Sequence, residues 1–378
     1  MNKIFLSSPH MSGNEQKYIK EAFDLNWIAP LGNNVNGFEE ALSDYNKIKH
    51  TTVMSSGTAA IHLALKIIEV EPQDHVFLSS LTFVATANPV LYEHATPVFI
   101  DSEPDSWNMS PLALERALQD YDRSNQLPKA VIVVNLYGQS AKMDEIMSVC
   151  NSYNVPVIED AAESLGSEYK NYKSGTFGHY GIYSFNGNKI ITTSGGGALV
   201  SDDEYSIQKA RFLSTQARDP AVHYEHSQLG YNYRMSNIVA GVGRGQLEVL
   251  DQRVKQRRAV FKRYFEAFHQ LEGIEFQPEL EESMSNRWLT ALTIDPYQTG
   301  VSRDDIIEAL NEENIEARPV WKPMHLQPLY QAYTYYPFYN SKSVSDELFE
   351  KGLCLPSGSN LVEEDQERVI QIILNLMS

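Results

Sequence analysis

A single lysine, Lys189, lies in the segment 184–200, SFNGNKIITTSGGGALV, between Asn-Gly-Asn and Ser-Gly-Gly-Gly. This segment fits neither common phosphate-binding motif, because Ile190 follows the lysine and a β-like run, rather than a helix, follows the glycines. A third possibility is covalent chemistry, in which the lysine amine forms a Schiff base with a carbonyl compound. Lys189 is therefore the first candidate catalytic residue.

A Schiff-base lysine suggests pyridoxal 5'-phosphate (PLP), and other segments carry groups that this cofactor needs. The segment 55–60, SSGTAA, offers amide and hydroxyl donors for a phosphate where a helix opens, although Ser and Thr are also ordinary N-caps. Asp160 follows a buried strand and could keep a pyridine nitrogen protonated, but could equally bind a metal or cap a helix. Phe83 could stack on the ring or pack in the core, and Ser184 could supply another phosphate donor.

Composition limits the class of protein. The 378 residues are 42% hydrophobic and 21% charged, which is typical of a globular chain with one large and one smaller domain. The net charge of −18 disfavours nucleic acid and anionic membranes as partners, and any anionic substrate needs local cations. Neither a signal peptide nor a membrane span is predicted. Cys150 and Cys354 are expected to be buried thiols in the cytoplasm, and His223 and His226 lack the companions of a metal site.

Apolar strands alternate with helical patterns and predict a mostly parallel sheet covered by helices on both faces. Strands are predicted at 50–54, 75–78, 97–101, 130–135, 156–159 and 181–185, and helices at 59–70, 84–92 and 143–153. A long helix at 239–271 leads into a smaller unit with a strand at 287–294 and helices at 303–313 and 363–377. Residues 1–40 are expected to pack on the rest as an arm. The predicted division is a large domain, 1–250, with this arm, and a small C-terminal α/β domain, 251–378.

The motifs resemble those of the DegT/DnrJ/EryC1/StrS sugar-nucleotide aminotransferases over nearly the whole chain. The matching segments include "SSGTAAIHLAL", "IEDAAESLGS", "SFNGNKIITTSGGG", "GYNYRMSN" and "RPVWKPMH". Within that family they most resemble the bacillosamine-pathway enzymes, which aminate UDP-4-keto-6-deoxy-N-acetylglucosamine. The resemblance implies the aspartate-aminotransferase fold (PLP fold type I), PLP as cofactor and a homodimer with shared active sites.

The resemblance also implies roles for individual residues. Lys189 matches the cofactor-bearing lysine and proton carrier, Asp160 the partner of the ring nitrogen, and Glu163 a position near the ring's phenolic oxygen where many relatives have Gln. Asn232 matches an asparagine that reaches the phosphate in the neighbouring subunit. The remaining cofactor contacts are the phosphate cup of Gly57, Thr58, Ala59 and Ser184, and the aromatic group Phe83.

The substrate side is predicted from segments that combine aromatic, apolar and basic side chains, as a nucleotide-sugar pocket would. The candidates are Asn26, Trp27, Ile28, Ala29, Tyr183, Trp321, Lys322 and His325, with Arg218 and Arg287 as weaker candidates for charge contacts. For the loop 318–325, packing of the tryptophan and solvation of the lysine is an equal alternative.

The expected reaction is transfer of an amino group from L-glutamate to C4 of a UDP-linked 4-keto-6-deoxy-N-acetylhexosamine. The alternatives are an aminotransferase for another nucleotide 4-keto or 3-keto sugar, linked to dTDP or GDP, and a non-catalytic PLP-binding regulator. Lys189 argues against the related sugar 3-dehydratases, which carry His at that position. The chain lacks the spacing of a P-loop ATPase.

Overall fold

The structure is a computed structural model that describes residues 2–340 and 342–377. Its strands are β1 His50–Met54, β2 His75–Ser79, β3 Thr96–Ile100, β4 Ala130–Val134, β5 Val157–Asp160, β6 Glu168–Tyr169, β7 Tyr172–Lys173, β8 Tyr180–Ser184, β9 Gly197–Ser201, β10 Ile274–Phe276, β11 Ser283–Met284, β12 Thr290–Ile294, β13 Arg318–Pro319, β14 Tyr335–Tyr336 and β15 Gly352–Leu355. Its α-helices are α1 Glu15–Asp24, α2 Asn33–Asn46, α3 Gly57–Ile67, α4 Val84–Tyr92, α5 Pro111–Arg123, α6 Met143–Ser152, α7 Glu204–Ser214, α8 Asn237–Leu247, α9 Leu250–Phe268, α10 Pro296–Thr299, α11 Arg303–Glu312, α12 Val344–Lys351 and α13 Glu363–Leu376.

The main sheet has eight strands in the order β1-β9-β8-β5-β4-β2-β3-β14. The strands from β8 to β14 are parallel, whereas β9 runs antiparallel to both β8 and β1. The inner strands are buried along their length, as expected for a sheet covered on both faces. This confirms the predicted mostly parallel α/β architecture.

Strand register brings the candidate site residues to one edge of the sheet. Asp160, the last residue of β5, pairs with Ile182 of β8. Gly197, the first residue of β9, lies opposite both Ser184 and Met54. The carboxyl ends of β1, β5 and β8 therefore meet at the same edge, where ligands of open α/β sheets bind.

A second sheet, β10-β12-β15-β13, is antiparallel and packs with α9, α11 and α13. The main sheet also receives β14, which comes from the C-terminal part of the chain, and Ile4 pairs with Ile315. Because both parts contribute to each other's packing, the division at residue 250 stays a proposal. Among the described residues, no helix has the length and apolarity that a bilayer crossing requires. Cys150 and Cys354 are free and buried.

The structure corrects two predicted elements. The helix expected at 239–271 is two helices, α8 and α9, because α8 packs on α1 and α2 whereas α9 packs on the second sheet. The strand expected from residue 287 begins at Thr290, since Arg287 has a left-handed φ of 50°. The predicted N-terminal arm contains α1 and the first part of α2.

The glycines after Lys189 do not share one role. A Cβ on Gly197 would lie 2.4 Å from the amide nitrogen of Gly57, and one on Gly196 would lie 2.4 Å from Thr193 Oγ1. A Cβ on Gly195 would meet nothing within 4 Å. Close passage of two backbone segments therefore explains Gly197; Gly196 makes room for side chains, and neither reason applies to Gly195.

We expect Gly197→Ala to lower the free energy of unfolding by about 1–3 kcal/mol or more, because the methyl group must push β9 away from the start of α3. Gly195→Ala is the matched control and should change stability little, since its methyl group enters open space. Urea denaturation of both variants measures the difference. Equal stability of the two variants would contradict the close approach.

Candidate active site

A cavity of about 370 Å³ opens at the carboxyl edge of the main sheet. It contains most of the groups that the sequence predicts for the cofactor, gathered from segments more than 130 residues apart in the chain; Ala59 and Asn232 are not among its lining residues. Its lining residues are Ser55, Ser56, Gly57, Thr58, Ile61, Thr82, Phe83, Ala85, Thr86, Val134, Asp160, Ala162, Glu163, Ile182, Ser184, Asn186, Asn188, Lys189, Gly195, Gly196, Trp288 and Trp321.

The start of α3 forms the anion-binding side of this cavity. Gly57 and Thr58 occupy the first turn of α3, where backbone N–H groups have no intrahelical acceptor. The positive end of the helix dipole lies at this turn. Ser184 lies beside them: a Cβ placed on Gly57 would be only 3.3 Å from the Cβ of Ser184. The Ala59 amide is a correction to the predicted cup, since it donates to the N-cap side chain of Ser56 at 3.0 Å.

Asp160 is buried at the floor of the cavity. Its Oδ2 accepts a hydrogen bond from Thr86 Oγ1 at 2.7 Å, and its Oδ1 accepts one from the amide of Ala162 at 3.2 Å. Burial raises the pKa of Asp160 above its usual range, against the lowering effects of these hydrogen bonds and of the Lys189 charge. A buried carboxylate held by neutral donors is suited to a cationic partner such as a protonated ring nitrogen.

The Lys189 amine lies between a carboxylate and an aromatic face. Its Nζ is 3.2 Å from Glu163 Oε1 and 4.1 Å from the ring centroid of Trp288. Glu163 Oε2 accepts a hydrogen bond from the amide of Tyr137 at 2.8 Å. Burial raises the pKa of Glu163, and the nearby lysine opposes that rise. The amine is thus held in place while its side chain remains 11% exposed to the cavity.

Aromatic side chains form the wall opposite the sheet. The ring of Phe83, which is 55% exposed, lies 5.5 Å from Trp321, and Tyr137 packs between Trp321 and Trp288. The Tyr137 hydroxyl also accepts a hydrogen bond from the Trp321 amide at 3.0 Å. Sequence reasoning missed Trp288, Tyr137 and Thr86, since nothing in their local patterns distinguishes them from core residues.

The residues of the predicted substrate loop, 318–325, lie in different environments. Trp321 lines the cavity, and Lys322 lines an adjoining groove of about 520 Å³ that shares Thr82, Phe83 and Trp321 with it. His325 is a correction: its Nδ1 pairs with Ser80 Oγ at 2.7 Å, its Nε2 lies 3.0 Å from Asp346, and its ring stacks on Tyr335. These contacts give His325 a packing role.

Tyr183 and Arg287 are further corrections. Side chains alternate along β8, so Ser184 and Ile182 face the cavity while Tyr183 points into the core and donates to Ser174 O at 2.7 Å. Arg287 is buried and pairs with Glu279.

Other predicted residues lie away from the cavity within the single chain. The segment 26–29 is largely exposed, and its Trp27 Nε1 donates to Leu31 O at 2.7 Å. Asn232 accepts a hydrogen bond from Gln216 at 3.2 Å, and Arg218 stacks on Tyr224. The roles of Asn232 and of segment 26–29 in a site stay predictions.

The cavity fits PLP. It combines a helix N-terminus for the phosphate, a buried carboxylate for the ring nitrogen, an aromatic wall and an amine at the centre.

Comparisons with known proteins agree with this geometry. The family model described as the DegT/DnrJ/EryC1/StrS aminotransferase family matches residues 9–374. The chain is 63% identical to EpsN of Bacillus subtilis (strain 168), named as a pyridoxal phosphate-dependent aminotransferase, over 99% of this chain and 96% of that protein. It is 36% identical to GDP-perosamine synthase of Caulobacter vibrioides, over 97% and 96%. It is 33% identical to the UDP-4-amino-4,6-dideoxy-N-acetyl-β-L-altrosamine transaminase of Campylobacter jejuni, over 78% and 77%.

Solved structures show the same fold. A DegT/DnrJ/EryC1/StrS aminotransferase from Brucella abortus has a TM-score of 0.89 at 29% identity and covers 97% of this chain and 96% of its own. The PLP form of the sugar aminotransferase Spr1654 from Streptococcus pneumoniae has a TM-score of 0.89 at 25% identity, with 100% and 99% coverage.

We expect Asp160→Asn to lower kcat by roughly 100- to 1,000-fold while PLP still binds, because a neutral amide cannot stabilise positive charge on the ring nitrogen. Glu159→Gln is the matched control on the same strand, since Glu159 faces away from the cavity and accepts from Gly175 and Asn135. Steady-state kinetics and PLP titration measure both. Wild-type kcat in Asp160→Asn would assign this role to another group.

Proposed function

The chain belongs to the DegT/DnrJ/EryC1/StrS aminotransferase family, and on this basis we propose that it transfers the amino group of L-glutamate to C4 of a UDP-linked 4-keto-6-deoxy-N-acetylhexosamine. Membership makes it a PLP-dependent enzyme of the transaminase class. The observation that carries the proposal is the Lys189 amine at the centre of a cavity that continues into the groove of Lys322. That complete catalytic set argues against a non-catalytic regulator.

We assign different roles in amino transfer to different residues of the cavity. The amides of Gly57 and Thr58, with the hydroxyls of Thr58 and Ser184, would hold the cofactor phosphate, and Asp160 would hold the protonated ring nitrogen. Bound PLP supplies an electron sink that stabilises negative charge on the reacting carbon. Lys189 Nζ would carry the proton to and from the reacting carbon, and Glu163 holds the amine in place through its 3.2 Å contact.

The groove next to the cavity supports a nucleotide-sugar substrate. A protein of charge −18 needs a local cation to bind a diphosphate, and Lys322 lies in this groove beside the apolar surfaces of Phe83 and Trp321. The Campylobacter relative, a UDP-amino-sugar transaminase, supports a UDP sugar with an acetamido group. The second candidate is a GDP-linked 4-keto sugar, because the GDP-perosamine synthase relative matches a larger share of the chain.

We also propose a two-fold dimer with shared sites and a cytoplasmic location. An apolar, exposed surface at the end of α1 and in the loop that follows supports the dimer, since large exposed patches mark interfaces; its residues are Phe23, Leu25, Trp27, Ile28 and Leu31. The free, buried thiols of Cys150 and Cys354 are compatible with a reducing compartment.

The substrate is tested with UDP-, GDP- and dTDP-linked 4-keto-6-deoxy sugars, each with and without a 2-acetamido group, and L-glutamate as donor. We expect the highest kcat/KM for the UDP sugar with the acetamido group, because binding contacts to both parts add to transition-state stabilisation. Lys189→Ala is the control and should abolish turnover while the fold persists. Preference for the GDP sugar would support the second candidate, and turnover by Lys189→Ala would contradict the catalytic assignment.

The dimer is tested by mixing two inactive variants, Lys189→Ala and Asn232→Asp, whose added carboxylate would repel a neighbouring phosphate. If each site takes Lys189 from one subunit and Asn232 from the other, one site of every hybrid has both changes and the other has neither. We expect activity to return to about half of the wild-type value per hybrid dimer. Purified hybrids without activity would mean that the Lys189 and the Asn232 of each site come from the same subunit.

A further inference from the structure

The peptide carbonyl immediately before the catalytic lysine accepts two side-chain hydrogen bonds. Ser7 Oγ donates to Asn188 O at 2.6 Å, and Trp288 Nε1 donates to the same oxygen at 2.7 Å. The acceptor lies in the irregular loop between β8 and β9, where regular strand pairing does not fix the backbone. The donors come from the N-terminal segment and from the residues just before β12, so tertiary contacts hold this peptide.

Both donors are oriented by a buried arginine. Arg257 is 1% exposed, and its guanidinium donates to Ser7 Oγ at 2.9 Å and to the carbonyls of Trp288 and Ser357. No carboxylate of the described residues forms an ion pair with it, and burial, with a smaller effect of Arg253, lowers its pKa to about 9. Burying a cation without an acidic partner lowers the stability of the fold. The buried position of Arg257 therefore indicates a role other than stabilisation.

Trp288 also contacts the lysine side chain itself. Its ring is 2% exposed, lines the cavity and lies 4.1 Å from Lys189 Nζ, opposite Glu163. One residue therefore contacts Lys189 at the preceding peptide through its N–H and at the amine through its π face.

We propose that Ser7 and Trp288, oriented by Arg257, are positioning residues that hold Lys189 in its reactive geometry. This inference rests on the proposed role of Lys189 and adds the N-terminal segment to the machinery of the site. Small displacements of a reacting group are costly in rate, which is the benefit that such an arrangement provides. Because the two donors share one acceptor, either one alone still holds the carbonyl, whereas loss of both releases it.

The test uses the full chain with Ser7→Ala, Trp288→Phe and the double variant. Trp288→Phe keeps an aromatic face and removes the N–H donor, together with part of the buried volume of the indole. Ser7→Thr restores a hydroxyl, and Ser8→Ala is the matched control, because Ser8 bonds to Asn360 instead of the loop. Three quantities are measured: the rate at which PLP attaches to the cofactor-free protein, followed by absorbance; hydrogen exchange of residues 186–196 without cofactor; and kcat and KM.

We expect each single change to slow attachment and lower kcat roughly 2- to 10-fold, the size of one lost hydrogen bond, with little change in either KM. The double variant should lose more than the product of the two single effects and should exchange faster at 186–196. Ser7→Thr should recover most of the loss, and Ser8→Ala should match the wild type.

Wild-type attachment and exchange in the double variant would overturn the inference. The inference would also be overturned if the attachment rate and kcat fell only in variants with a lower melting temperature. If Trp288→Phe folds poorly, Ser7→Ala alone allows this comparison. Attachment of PLP to Lys189→Ala at the wild-type rate would instead contradict the proposed role of Lys189.

Discussion

Two buried carboxylates, Asp160 and Glu163, face a single ammonium group, that of Lys189, at the bottom of the cavity. Burial raises the pKa of both acids, the lysine charge lowers each, and Asp160 raises that of Glu163 further. The excess of negative groups in a site removed from water favours a second cation there. A protonated ring nitrogen beside Asp160 would supply that cation, so the electrostatics of the cavity match the cofactor that the family uses.

The register of the strands in the main sheet, rather than the local sequence, brings these groups together. Because β9 lies between β1 and β8, Gly197 is opposite both Met54 and Ser184, and the start of α3 comes to rest against it. The absence of a side chain at Gly197 allows this contact. The anion-binding helix end and the lysine loop are therefore parts of one packed unit.

Several polar groups near the site serve the scaffold. His325 joins the end of β2 to α12 through Ser80 and Asp346, and Tyr183 ties β8 to the carbonyl of Ser174. Tyr137 adopts a left-handed backbone with φ of 55° and connects the Glu163 carboxylate to the Trp321 amide. Such residues have the chemical types of catalytic groups, and only their partners show that they hold parts of the scaffold together.

From the sequence alone, the alternation of apolar strands and helices predicted the parallel sheet, and the order of SSGTAA, Asp160 and Lys189 predicted the cofactor. Strand periodicity depends on neighbouring residues, and each motif is a short run whose place in the chain can be read from the sequence, so both signals are visible before folding. Tertiary structure decided the division of residues 239–271 into α8 and α9, the packing roles of His325, Tyr183 and Arg287, and the contacts of Trp288 with Lys189. These features depend on segments as far apart as Ser7, Asn188 and Trp288, whose hydrogen bonds exist only after the chain has folded and leave no periodic signal in the sequence.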